Sequence, residues 1–144
     1  MQVGDIIAFN RRFGVAEVRE FTELSRDEGS HHLEPDASGR ILVHGLLTAT
    51  LPTRVGGALN FLAREMHFEF LRPVWTGDTV RCEVTLTELS ETSRGTRLAA
   101  DILCRNQDGK EVLRGSTAGV VLKALGEVLA GPLPVLSSIV PSEG

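Results

Sequence analysis

Val43-His44-Gly45-Leu46-Leu47-Thr48-Ala49-Thr50-Leu51-Pro52-Thr53-Arg54-Val55-Gly56-Gly57 is the segment around which the rest of the chain is built. Leu46, Leu47, Ala49, Leu51 and Val55 are apolar, and Thr48, Thr50 and Thr53 are small enough to turn a hydroxyl back onto a helix backbone. The pattern predicts a helix with almost no wet face, which must be buried on most sides. In a chain of 144 residues the available cover is a sheet wrapped around it. His44 and Gly45 fall where the first backbone N–H groups of the helix have no internal partner. Together with the helix dipole those groups form a site for negative charge. Gly45 has no side chain to hold a ligand away. Pro52 should bend or shorten the helix, and Gly56-Gly57 should end it.

The length predicts one domain with a real core. A net charge of −4 argues against a nucleic-acid or membrane-surface protein. No run approaches the roughly 18 apolar residues of a membrane span, and Met1 to Asn10 lacks the charged start and cleavage site of a signal peptide. Cys82 and Cys104 have no metal-ligand spacing and sit inside alternating apolar patterns, as reduced, buried thiols of a cytoplasmic protein would.

Outward from the central stretch, residues 5–13 read as a first strand that Gly14 breaks. Val15, Val18, Phe21 and Leu24 recur at spacings of three in a short amphipathic helix. Residues 25–42 have no periodicity and form a long loop, of the kind that is often functional. After Gly57 the period becomes two. A strand from about Leu59 to Arg72 has Leu62, Met66, Phe68 and Phe70 facing the core, with Arg64 as an interruption. Pro73 to Asp78 is a turn. Val80, Cys82, Val84 and Leu86 mark the next strand, Leu98, Ala100, Ile102 and Cys104 the one after, and Asn106 to Gly109 a hairpin. The last strand, Glu111 to Leu122, has small residues (Gly115, Ser116, Ala118, Gly119) that would let the helix lie close to the sheet. The sum is α+β: an antiparallel sheet curled around one long central helix over residues 1–122. Residues 123–144 form an apolar tail, broken by Gly and Pro, that should pack on the domain or on a dimer partner.

Asp27 precedes His32 by five residues on the loop, and Gly45 opens the helix. A carboxylate and an imidazole can hold one water between them and act as general base or acid, while the Gly45 N–H can hold a carbonyl oxygen as it gains charge. Those are the parts needed to add water to a double bond next to a carbonyl, although an Asp and a His on a loop are more often solvated surface groups. A metal site from Asp27, His31 and His32 is not expected, because adjacent histidines diverge and no third ligand stands at metal spacing. Ser25 and Ser30 lack a nucleophile-elbow motif. Arg54, Arg64 and Arg72 could meet a phosphate, but an ordinary salt bridge is the simpler reading of each.

These residues resemble the MaoC-like hydratases, which include the (R)-specific enoyl-CoA hydratases. Their motif runs roughly S-G-D-x-N-P-x-H-x-D, followed by V-H-G-M-L at the start of the central helix. Ser25 to Glu34 is similar, Val43-His44-Gly45-Leu46-Leu47 matches well, and Phe68 to Val80 looks like the family's F-x-x-P-V-x-x-G-D-x-V strand-turn-strand. The resemblance spans about residues 3–122 and omits the tail. Gly29 and Ser30 stand where the motif has Asn and Pro, Glu34 where it has Asp, and the segment between His32 and His44 looks shorter.

The resemblance implies a hot-dog fold and reversible syn hydration of a trans-2-enoyl thioester to a (3R)-hydroxyacyl thioester. It implies that Asp27 and His32 are the catalytic pair and that the Gly45 N–H binds the thioester oxygen. Ser30, His31, His44, Leu46 and Arg54 are the candidate substrate-binding residues around them. No metal or separate cofactor is implied, since coenzyme A is part of the substrate, and acyl carrier protein is the alternative carrier. A homodimer is expected, with no nucleic-acid or membrane partner. Two other functions remain open: a hot-dog acyl-CoA thioesterase, and a non-catalytic acyl-thioester-binding protein. Against the branches that carry an acid on the central helix, Gly45 to Gly57 contains no Asp, Glu, Asn or Gln.

Overall fold

The structure, a computed structural model, describes residues 1–126 and 128–141. Five strands, β1 (Ile6–Arg12), β2 (Phe61–Phe70), β3 (Thr79–Glu91), β4 (Gly95–Arg105) and β5 (Glu111–Leu122), form one antiparallel sheet in the order β1-β3-β4-β5-β2. Helix α1 (Val15–Ser25) follows β1, α2 (Ser30–Leu33) lies in the loop, and α3 (Gly45–Thr48) and α4 (Thr50–Ala58) make up the central helix. Ala49 between the last two keeps helical dihedrals, and its N–H bonds to Gly45 O. The interruption lies one turn before Pro52, whose missing N–H leaves the Thr48 carbonyl without its helical donor. The helix runs past Gly57 and ends at Ala58.

This helix does have a wet face, contrary to the sequence reading. Leu47, Thr48, Leu51, Pro52, Val55 and Leu59 are buried, whereas Leu46, Thr50, Thr53 and Gly57 form an exposed stripe on the opposite side. The 3.6-residue period was masked because the outward positions carry a leucine, small threonines and a glycine rather than charges. The inner stripe packs on the inward residues of β1, β3 and β4, among them Ile7, Phe9, Val80, Val84, Leu98 and Ile102. Cys82 and Cys104 pair directly across β3 and β4 in this core, both as free thiols. The Cys104 thiol hydrogen-bonded to Cys82, together with burial, pushes the Cys82 thiol well above its ordinary range and keeps it protonated.

Strand β2 is an edge strand, which changes the meaning of its apolar residues. Leu62, Met66 and Phe70 are about half exposed rather than sealed in the core. The register with β5 shifts between Ala63 and Glu65, so Arg64, which interrupts the apolar alternation, is the extra residue of a bulge. The small residues of β5 serve this neighbour and not the helix: a Cβ on Gly115 would meet the His67 carbonyl and the Phe68 ring, and one on Gly119 the Leu62 carbonyl and the Phe61 ring. In α1 the buried residues are Val18 and Thr22, while Leu24 points to solvent.

The opposite edge, β1, is covered by the tail. Arg12 N–H bonds to Ile139 O at 2.9 Å, and Ile139 N–H to Asn10 O at 3.0 Å. Pro141 lies 3.4 Å from where a Cβ on Gly14 would stand, and the Met1 ammonium donates to Leu129 O at 3.0 Å.

Candidate active site

Three local interactions carry Asp27 and His32 to the start of the central helix. Arg26 closes α1 in the left-handed region (φ 62°), its N–H bonded to Thr22 O, and so turns the chain sharply ahead of Asp27. The Asp27 N–H bonds to Ser25 Oγ at 3.1 Å, and Asp27 Oδ1 accepts the Gly29 N–H at 3.3 Å. These short-range bonds order the loop although Gly29 and Ser30 replace the motif's Asn and Pro. On the far side, Val43 N–H bonds to Val74 O, Thr76 N–H to Ile41 O, and Ile41 N–H to Thr76 Oγ1. The Pro73–Asp78 turn thereby anchors the segment that leads into His44.

His32 is 5% exposed and its tautomer follows from its partners. Nδ1 lies 2.7 Å from Leu42 O. A carbonyl only accepts, so Nδ1 carries the proton and Nε2 of the neutral ring keeps a free lone pair. That Nε2 stands 3.8 Å from Asp27 Oδ2, whose side chain is 56% exposed. The gap is too long for a direct hydrogen bond. A water can hydrogen-bond to both atoms at once across it.

His44 lies beneath this pair and is 1% exposed. Its Nε2 is 3.1 Å from Asp27 O and 3.2 Å from Thr22 Oγ1. The Thr22 hydroxyl donates to Val18 O at 2.9 Å, so toward His44 it accepts, and Nε2–H is the donor to both oxygens. Burial pushes the His44 pKa below its usual 6.5 and keeps the ring neutral; the hydrogen bond to Asp27 O opposes the shift. Its Nδ1 is buried without a partner among the described residues.

One ligand atom each from Asp27, His32 and His44 falls within 4.8 Å of the others, the spacing of a metal site. The ring orientations do not suit one. His32 and His44 stack at 3.8 Å with planes 17° apart, so their lone pairs lie in nearly parallel planes and cannot converge on one ion at Zn–N distances of about 2 Å.

Gly45 is exposed at the first position of the helix, and a Cβ there would sit 3.0 Å from the Phe70 ring. His31, His32, Gly45, Thr48, Phe70 and Arg72 line an open pocket of about 300 Å³. One turn farther along the helix, an apolar cavity of about 80 Å³ is lined by residues that include Pro52, Val55, Gly56, Phe61 and Phe68.

The structure therefore brings Asp27, His31, His32, His44 and Gly45 together, but not the other candidates. Ser30 is exposed outside the pocket lining, and Leu46 points away at 66% exposure. Arg54 stacks over Phe9 at 4.6 Å and donates to Ser137 O at 2.7 Å, so it holds the tail. Sequence reasoning missed Thr22, Thr48 and the Leu42 carbonyl as site groups, and it placed Phe70 in the core. Only alternation along β2 hinted at Phe70, and no sequence signal marks a backbone carbonyl.

Comparison with known proteins identifies the family. The chain is 35% identical to an (R)-specific enoyl-CoA hydratase of Aeromonas caviae over 102 residues, covering 63% of this chain and 75% of the relative. The chain belongs to the MaoC-like (R)-specific enoyl-CoA hydratase family. Among solved structures of these hydratases, the (R)-hydratase from A. caviae involved in PHA biosynthesis matches with a TM-score of 0.72 at 31% identity, covering 82% of this chain and 95% of that one. R-hydratase PhaJ1 from Pseudomonas aeruginosa matches with a TM-score of 0.74 at 20% identity, covering 85% and 83%. A MaoC-like dehydratase from Rhodospirillum rubrum gives 0.70 at 20%, covering 85% and 93%; these last two likenesses speak for the hot-dog fold alone. The family model described as Thioesterase superfamily matches residues 43–111. That span begins after Asp27 and His32, so it bears on the helix and strands and not on those two residues.

Proposed function

We propose that this chain hydrates trans-2-enoyl thioesters to (3R)-hydroxyacyl thioesters, and catalyses the reverse dehydration, with Asp27, His32 and Gly45 as its working groups. The observation that carries the reading is that Asp27 Oδ2 and His32 Nε2 stand 3.8 Å apart, with His32 and Gly45 lining one pocket. A water between them donates one hydrogen to His32 Nε2, which aims its oxygen at the β carbon. Asp27 takes the other hydrogen as the C–O bond forms. The π electrons move toward the thioester, whose oxygen gains charge beside the Gly45 N–H. Asp27, now protonated, returns that proton to the α carbon on the same face. One water has then been added, syn, and the pair is back in its starting state.

The acyl chain fits the apolar cavity beyond Thr48, since Phe70 and Phe68 point to the same side of β2 and lead from one pocket to the other. The thioester carrier, coenzyme A or acyl carrier protein, leaves through the open mouth, where Arg72 stands. We assign the reaction to the cytoplasm, where the free thiols of Cys82 and Cys104 stay reduced. A second copy of the chain is the natural partner for β2, an edge strand with exposed Leu62 and Met66, while β1 is occupied by Ile139.

The test follows crotonyl-CoA by enoyl absorbance and free thiol together, in wild type, Asp27→Asn and His32→Ala. Loss of absorbance without thiol release, reduced at least about 100-fold by each substitution, is expected for general acid–base work by this pair. Thiol release would make the chain a thioesterase.

A further inference from the structure

Among the described residues five polar residues are buried: Thr22, His32, His44, Thr48 and Thr76. Four have side-chain hydrogen bonds within the chain, Thr22 to Val18 O, His32 to Leu42 O, His44 to Asp27 O, and Thr76 from Ile41 N–H. Thr48, 3% exposed, has none among the described residues. Its helical neighbours Thr50 and Thr53 do turn their hydroxyls back, to Leu47 O and Thr50 O. Nor is the Thr48 hydroxyl sealed in: among the described residues the fully enclosed side-chain polar atoms without partners are Arg12 Nε and His44 Nδ1. The open space that Thr48 borders is the pocket it lines with His32, Gly45 and Phe70.

An unpaired hydroxyl beside a pocket is free to bond to what fills it. The direction of side chains on a helix says where this one points. Cα–Cβ bonds tilt toward the helix N-terminus, so a side chain covers the turn before its own Cα. Thr48 follows Gly45 by three residues and therefore overhangs it, and Gly45 has no side chain to fill that space.

We propose that the Thr48 hydroxyl is a second donor to the thioester oxygen, completing with the Gly45 N–H the site for the charge that develops there. The assignment rests on the hydratase reading for its substrate. The hydroxyl is unpaired without ligand and donates most strongly when the oxygen becomes enolate-like. Its contribution therefore falls on turnover more than on substrate affinity. A purely structural threonine would behave in the opposite way: losing its hydroxyl would leave turnover intact.

Thr48→Val, Thr48→Ala and Thr48→Ser separate the two. For Thr48→Val the expected result is a drop of about 10- to 100-fold in kcat for crotonyl-CoA with KM within about threefold, and a Tm no lower than wild type. Thr48→Ser should recover most of kcat, and Thr48→Ala should show the same kcat loss if the valine variant fails to fold. A second readout needs no turnover: the absorbance of bound 2,4-hexadienoyl-CoA shifts to the red as its carbonyl is polarised. That shift should shrink in Thr48→Val and return in Thr48→Ser. Wild-type kcat and an undiminished red shift in Thr48→Val would overturn the Thr48 assignment while leaving the hydratase reading in place. A wild type that binds with a red shift dependent on Thr48 but adds no water would overturn the hydratase reading alone. A wild type that neither turns over nor binds these thioesters would overturn both.

Discussion

His32 and His44 stack with ring centroids 3.8 Å apart and planes 17° from parallel. The two rings have different tasks. His32 presents a free Nε2 to the pocket, whereas His44 spends its Nε2–H on Asp27 O and Thr22 Oγ1 and so ties the Asp27 loop and α1 to the start of the central helix. Away from water a positive charge on His44 is unfavourable, and burial lowers its pKa accordingly.

Removing that tie should loosen the Asp27 loop. His44→Ala leaves a cavity beneath His32 and two oxygens short of a donor, and unfolding by denaturant should show a loss of about 2–4 kcal/mol. Turnover should fall with it, because Asp27 Oδ2 no longer has a fixed place opposite His32. Unchanged turnover in a folded His44→Ala protein would mean that the loop is held by Ser25 and Gly29 alone.

The same residue gives stability a pH dependence of definite sign. Burial holds the His44 pKa below 6.5, while the unfolded chain takes up a proton on this residue near 6.5. The unfolded state therefore binds more protons as pH drops through that region, so the contribution is complete above pH 6.5 and is lost below it. Tm should decrease on going from about pH 7.5 to about pH 5.5, and His44→Gln should flatten part of that slope. An equal slope in both proteins would assign it to other groups.

Gly45→Ala should separate chemistry from folding. The added methyl meets the ring of Phe70 at 3.0 Å, but that ring is half exposed and can swing aside. Alanine is the better helix former by up to about 1 kcal/mol, so Tm should change little. The methyl nevertheless occupies the space over the first free N–H, and kcat should fall about 100- to 1000-fold. A variant with native activity would move the thioester oxygen away from this end of the helix.

The tail offers a test of edge protection. Deleting residues 133–144 removes both Ile139 hydrogen bonds to β1 and the Arg54 bond to Ser137 O, an expected loss of about 1–3 kcal/mol. The uncovered β1 should also associate with other copies, seen as concentration-dependent light scattering. A truncated protein as stable and as monodisperse as the full chain would reduce the tail to a passenger.

Much of the fold was legible because its signals are local. The period-two rows Val80-Cys82-Val84-Leu86 and Leu98-Ala100-Ile102-Cys104 are buried as read, the Asn106–Gly109 turn forms, and the strand pattern is interrupted at Arg64. Each of these depends on a few neighbouring residues, so the pattern alone determines them. The spacing of Asp27 and His32 and the placement of Gly45 at a helix start were likewise present in the chain order.

Groups whose partners are distant in sequence took their roles from packing. The face of the central helix that stays wet depends on where the sheet stops covering it, so Leu46 could not be told from Leu47. Arg54 was drawn to Phe9 and Ser137, residues far away along the chain. The tautomer of His32 follows from the Leu42 carbonyl, and the free hydroxyl of Thr48 from the absence of any partner among the described residues. Sequence determines the alternating rows of the central strands and where the backbone turns, because strand periodicity and dihedral preference act over a few neighbouring residues. Hydrogen bonding and exposure at the site are properties of pairs brought together by the fold, and three-dimensional packing alone selects those pairs.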